Sequence, residues 1–269
     1  MISLSYHQKG LSLIELLIAM LLGLMLTAGA LQMMLSSQQI YQATDTLSRI
    51  QENGRFALNF LSKDIRMAGY NTDEDPSEIA IGKIFWDGAC GASNPCTTNG
   101  AGSDSDQIGI LMDPSNDLDC QGNAVASENT VIANVYYIDD PENDQISSLY
   151  CHGYDLSTNT WVNNSTAQPL VDGVENMQLL YGITSPTANN MITSYISADD
   201  VIDWGQIGAV RVSLLLNNGQ AAGNSNNQVR NFNLLDADPI MATDTHNRQV
   251  FATTITINNI IYQSEEGNL

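Results

Sequence analysis

The sequence predicts an α+β protein, with one long N-terminal α-helix packed on an antiparallel β-sheet head, and three observations predict it. Residues Leu11 to Leu31 form an apolar run whose one ionisable group is Glu15. The proline-free stretch from Ser36 to Tyr70 then keeps apolar or small residues at alternating steps of three and four. Beyond Gly69 the chain breaks into short β-type runs between Asn, Asp, Gly and Ser turns.

At about 1.5 Å per helical residue the apolar run spans roughly 30 Å, the thickness of a bilayer core. A carboxylate at that depth costs roughly 2.5–3.5 kcal/mol, so Glu15 asks for a functional explanation. The ten residues before the run, MISLSYHQKG, have the look of a processed leader. Two cuts compete. A secretory signal is cut behind the run, where Ala28-Gly29-Ala30 supplies a small-residue site; the other cut falls before it, between Gly10 and Leu11.

The next stretch decides between them. Ile40, Ala43, Leu47, Ile50, Gly54, Ala57, Leu61, Ile65 and Ala68 form an amphipathic stripe, supported by Asp45–Arg49 and Glu52–Arg55 pairs. The membrane run therefore continues in phase as one helix of nearly 60 residues, about 85–90 Å long, with Gly69 as its stop. A secretory signal has no reason to do so, and the cut before the run is favoured. The expected organisation is a leader at 1–10, a membrane and assembly half-helix at 11–35, an amphipathic half-helix at 36–69, and a β-rich head at 70–269.

Strands are expected at Gln107–Leu111, Thr130–Ile138, Leu149–Gly153, Val174–Tyr181, Ala209–Leu216 and Val250–Ile257. Ala89–Ser105 and Gly182–Asp200 read as loops, and Asn217–Gln228 as a flexible insertion.

Thirty acidic residues against nine basic ones give a net charge of −21. Six of the nine cations precede Ile84. The nearly pure acidity of the remainder excludes binding of a nucleic-acid backbone. It leaves a solvated surface or divalent cations as the alternatives. Asp117, Asp119, Gln121 and Glu128 approach the spacing of a calcium loop, but Gln at the fifth position and Cys120 inside the loop count against it. Asp139, Asp140, Glu142 and Asp144 form a second acidic cluster. No cofactor is expected, with calcium the one ion to test.

Cys90, Cys96, Cys120 and Cys151 all lie in the head, and an even number behind a membrane signal fits disulfides. Of three connectivities, Cys90–Cys96 with Cys120–Cys151 is favoured: the first closes a short Gly/Asn/Pro loop and the second can tie neighbouring strands. Zinc lacks a paired C-x-x-C. Neither His152 nor His246 sits in a nucleophile or metal motif, and no G-x-S-x-G, P-loop or H-E-x-x-H occurs, so no enzyme is expected.

The string KGLSLIELLIAMLL, Lys9 to Leu22, resembles a prepilin-peptidase leader and helix start. The resemblance puts Gly10 before the cut, Leu11 at the new terminus where the family commonly has Phe, and Glu15 at the fifth mature position. It implies that Glu15 offsets the terminal amine of a neighbouring subunit during assembly. The string QENGRFALNFLSKDIRMAGY, Gln51 to Tyr70, with VDGVENMQLLYG, AVRVSLLL and RQVFATTITINN further on, resembles the PilW family of minor type IV pilins.

That resemblance implies a type IV pilin-like fold and a low-abundance subunit in a tip or initiation complex. Its partners would be other minor and major pilins, the prepilin peptidase and the inner-membrane assembly platform. It would sit in the inner membrane, single-pass with its head in the periplasm, before assembly, and in the extracellular pilus afterwards. Glu15 argues against the tip-most subunit, which typically lacks that acid. Arg55, Arg66 and Arg248 are expected to fix the helix-to-sheet junction. The alternatives are a minor pseudopilin of type II secretion, a tip-displayed adhesive or calcium-binding module, and a secreted protein cut at Ala30.

Overall fold

The computed structural model describes residues 10, 12–70, 84–90, 95–114, 117–125, 131–140, 146–164, 166–185, 191–221 and 229–259. The chain divides into two compact units, Met1–Asp45 and Thr46–Leu269.

Helix α1 runs from Leu13 to Met67. In the first unit every described helical side chain is exposed, including Leu13, Ile14, Leu17, Met20, Leu24 and Leu26. Water does not tolerate so continuous an apolar surface, and the length and composition suffice to cross a membrane. Ile40 and Leu47, expected on the amphipathic stripe, are exposed as well, so the buried face begins at Thr46 and Ile50.

In the second unit the buried face of α1 is Thr46, Ile50, Gly54, Ala57, Leu61, Asp64 and Ile65. Eleven antiparallel-paired strands complete the described head. The first sheet has the order β1 (Ile108–Met112), β2 (Ile132–Asp139), β3 (Ser148–Asp155), β4 (Thr160–Trp161), with β5 (Gln168–Asp172) also on β3. The second has the order β11 (His246–Thr256), β8 (Ile207–Ala221), β6 (Val174–Ser185), β7 (Met191–Ile196). A small ladder joins β9 (Arg230–Phe232) to β10 (Ile240–Ala242).

All six expected strands are present. Gly182–Asp200 is not a loop, however: β6 continues to Ser185 and pairs with β7 from Tyr181↔Ile196 to Ser185↔Met191. The Asn, Ser and Thr residues that read as a loop are tolerated because β7 lies at the border of its sheet and is largely exposed. Likewise Asn217 to Ala221, assigned to an insertion, continue β8.

One core serves both sheets and the helix. Ile50, Ala57, Leu61 and Ile65 meet Ile110, Ile132 and Leu149 of the first sheet and Met177, Leu179, Val212, Leu214 and Ile255 of the second. Edge-on packing of Phe85, Tyr181 and Trp204, with centroids 4.9–6.0 Å apart, fills the region beside it. The other face of the first sheet is covered by the Cys90–Cys96 disulfide, packed with Leu111, Val135 and Tyr154 and flanked by Trp86.

Gly54 is where helix and sheet come closest. A Cβ there would lie 2.7 Å from the Phe251 ring of β11. The helix ends at Gly69, whose φ of +74° suits glycine and whose N–H donates to Leu111 O at 2.8 Å. The last carbonyls are capped from the far end of the chain: Asn258 N–H donates to Arg66 O, and the Asn259 amide to Met67 O and Ala68 O.

Two carboxylates are buried at these junctions. Asp64 of α1 accepts from Tyr136 Oη at 2.7 Å and from Asn134 Nδ2 at 2.9 Å, both on β2. Burial raises its pKa against the pull of those bonds. Asp106 accepts from the backbone N–H of Gly100 at 2.7 Å and of Leu179 at 2.6 Å, clamping the segment before β1 onto β6. Burial pushes its pKa up to about 7.

Gly54→Ala gains helix propensity but must displace Phe251, and should cost about 1–3 kcal/mol, read by denaturant unfolding of the detergent-solubilised protein. A carboxyl group whose folded pKa is raised is stabilising below its unfolded value and loses that contribution as pH rises. Head stability should therefore fall from about pH 4 to about pH 7 on account of Asp106. Asp106→Asn should flatten that slope while lowering overall stability, since the amide puts an NH2 against one of two backbone donors.

Candidate functional site at the start of the helix

The first turn of α1 is built as a capping box. Ser12 Oγ accepts from Glu15 N–H at 3.3 Å, and Glu15 Oε2 accepts from Ser12 N–H at 3.2 Å. Two of the backbone donors that a helix start leaves without partners are thereby satisfied. The negative charge also lies at the positive end of the helix dipole. Ser12 was readable in the sequence, because S-x-x-E before an apolar run is the signature of this box. The membrane charge of Glu15 drew attention away from it.

This geometry accommodates an acid at the start of an apolar helix, with Oε2 engaged in the box. Gly10 is exposed, two residues before the N-cap. Leu11 lies outside the described residues.

In the head the four cysteines form two disulfides, Cys90–Cys96 and Cys120–Cys151. The second joins the 117–125 loop to β3, and Cys120 N–H donates to Asn134 Oδ1 at 3.1 Å. Asn134 thus links that loop to Asp64 on the helix. Asp64, Asn134 and Tyr136 were not singled out from the sequence, since a polar residue inside an apolar stripe gives no hint of partners some 70 residues away.

In the calcium-like loop the described hydrogen bonds of Asp119 are local. Asp119 Oδ1 accepts from the N–H of Gln121 at 2.9 Å and of Asn123 at 2.8 Å, and Oδ2 from Asn123 Nδ2. The carboxylate folds its own turn. Among the described residues Gln121 Nε2 is buried without a partner and Asp117 takes a left-handed φ of +53°; Glu128 lies outside them. Among the described residues no group of three or more His, Cys, Asp or Glu side chains is placed to hold a metal.

Arg248 does not serve the helix junction. Its guanidinium binds Glu175 on β6 at 2.5 Å and Asp244 at 2.5–2.7 Å, and Asn217 joins Glu175. Hydrogen bonds from Arg248 hold the Asp244 carboxyl well below its usual range. The network ties the turn before β11 to the second sheet. Arg55 lies over the Phe56 ring instead, and Arg66 contributes its carbonyl to the helix end.

Residues 135–259 match the family model of Type IV Pilus-assembly protein W, PilW, and residues 5–31 match the prokaryotic N-terminal methylation motif. No curated protein and no solved structure matches the chain. The PilW match runs from β2 through both sheets to the asparagines that cap the helix, and the methylation motif contains Gly10, Ser12 and Glu15. The Gln51–Tyr70 block lies outside both spans. A PilW match behind an N-terminal methylation motif supports a type IV pilus-related pilin.

Proposed function

We infer that the protein is a minor pilin, incorporated at low abundance in the tip or initiation complex of a type IV pilus and needed for its assembly. The observation that carries this reading is the coincidence of three features in one segment. These are the methylation motif, a fully exposed apolar helix able to cross a membrane, and a carboxylate held at that helix's first turn.

The sequence of events is as follows. The prepilin peptidase cuts between Gly10 and Leu11, removing Lys9 and the polar leader. The mature chain waits in the inner membrane with its head in the periplasm. Its new amine, methylated or not, is a cation beside apolar surface, costly alone, and so is Glu15. Pairing the amine of one subunit with Glu15 Oε1 of another offsets both costs as the Leu11–Leu31 segments pack laterally. The PilW domain supports a role beside other pilins, minor and major, on the assembly platform. The protein then leaves the membrane as part of the extracellular fibre. Its work is positional, and no step requires a cofactor.

Intact mass and N-terminal sequencing of the protein from membranes should give a start at Leu11, with or without one methyl group. A start at Leu31 would overturn the assembly mechanism. Glu15→Ala and Glu15→Lys should leave the protein in the membrane but reduce surface pili at least tenfold. Normal piliation with stable variant protein, in cells where no other pilin compensates, would remove Glu15 from the mechanism. Ser12→Ala should weaken the same step less, and Ser12→Thr, which keeps the box, should restore it.

A further inference from the structure

A cavity of about 240 Å³ lies where the 99–102 and 236–238 segments meet beside Gln178 of β6, in a part of the head that the assembly mechanism does not use. It is smaller than the roughly 300–1,000 Å³ of sites for drug-sized ligands, and suits a single group of side-chain size. Gln178 is its buried wall, only 2% exposed. Gln178 Nε2 donates to Asp104 O at 2.7 Å and to Asn176 Oδ1 at 2.9 Å, and Asn176 Nδ2 donates to Ser103 O. These acceptors fix which way the Gln178 amide points. Its oxygen, Oε1, is the polar atom left for the cavity, and it has no partner among the described residues. A buried carbonyl in that state is costly unless a donor reaches it.

The rest of the lining also offers acceptors. Asp236 and Asp238 bring two exposed carboxylates, with Asp238 Oδ2 only 3.4 Å from where a Cβ on Gly102 would stand. Asn99 Nδ2 is spent on Asp199 Oδ2 at 3.2 Å. The N–H groups of Gly100, Ala237 and Asp238 are spent on Asp106 Oδ1, Leu234 O and Gly102 O. No Lys, Arg or His is among the described residues that line the cavity. The unrelieved negative charge is felt behind the wall as well, since burial and then the charges of Asp236 and Asp199 raise the pKa of Asp106. A sugar would bring hydroxyl oxygens with few donors to answer them. A divalent metal would want a close group of acidic side chains, and among the described residues none of three or more is placed to hold one. A primary ammonium carries three donors and no acceptor, which matches the cavity in both charge and hydrogen bonding.

We propose that the cavity between the 99–102 and 236–238 segments binds a primary alkylammonium group, of the kind carried by a lysine side chain or a small polyamine. Asp236 and Asp238 supply the counter-charge, and Gln178 Oε1 is the buried acceptor that sets how deep the ammonium sits. The site belongs to the head alone and stands apart from the pilin reading.

The test is titration calorimetry on the detergent-solubilised full-length protein, with n-butylammonium chloride as the probe and ionic strength held constant. Tetramethylammonium, which has the same charge and no N–H donor, is the comparison. n-Butylammonium should saturate a single site and bind it roughly tenfold or more tightly than tetramethylammonium. Asp236→Asn with Asp238→Asn should weaken that binding by roughly tenfold or more. Asp139→Asn with Asp140→Asn, which removes equal charge at the end of β2, should leave it unchanged. Equal affinity for the two cations would overturn the proposal without any variant, as would binding indifferent to Asp236 and Asp238, or no saturable binding. Tighter binding of methylguanidinium would overturn the assignment to an ammonium. Nα-acetyl-lysine methylamide and putrescine separate the two sources, the tighter of them naming the lysine side chain or the free polyamine. None of these outcomes touches the pilin reading, which the start at Leu11 and piliation measure separately.

Discussion

The head depends on a single buried carboxylate being satisfied. Asp64 lies near the C-terminal end of the buried helical face, among the apolar Ala57, Leu61 and Ile65, where an unpartnered acid would oppose docking by several kcal/mol. Tyr136 and Asn134 turn that liability into a constraint on geometry, because both must be opposite Asp64 for the face to close. Apolar side chains could slide by a turn and still be buried, whereas a charge with two directional partners selects one register. Asn134 carries the constraint outward to Cys120, and the Cys120–Cys151 bond carries it to β3. Helix, β2, loop and β3 are positioned by one polar chain running through the core.

Glu15 is the counterpart at the other end of the helix. Both are acids on an apolar surface, and both are made tolerable by hydrogen bonds, but their partners differ. Asp64 finds side chains distant in sequence and becomes part of a fixed core. Glu15, among the described residues, finds its own N-cap, a purely local arrangement. The contrast follows from what surrounds each helix segment, since in the second unit the chain supplies its own sheets while the described helical side chains of the first unit are exposed.

Much of this was legible in the residues. Helical spacing from Ile50 to Ala68, β-branched runs such as VFATTITI, and the Gly–apolar–Glu pattern at Gly10 to Glu15 are local signals with local causes. The strand Met191–Ile196 was not legible, because its polar alternation is set by a position at the border of a sheet and only pairing with β6 reveals it. The Arg248 network was misplaced for a similar reason: an arginine's partners depend on which strands adjoin, and β6 lies some 70 residues away in sequence. At Asp119, one of the weak calcium candidates, Oδ1 accepts from backbone N–H groups two and four residues on, a local turn that spacing alone did not reveal.

The cap on the helix end has a consequence for the order in which the molecule is made. Met67 O and Ala68 O are bound by Asn259, about 190 residues later in the chain. A ribosome adding roughly 5–20 residues per second reaches that asparagine some ten to forty seconds after the helix itself has emerged. Throughout that interval the helix end has water or a transient partner in place of its final one. The amphipathic segment must therefore be kept from associating wrongly until Asn259 has been made. A polypeptide that stops short of Asn258 carries every residue of the helix and still lacks the means to complete it.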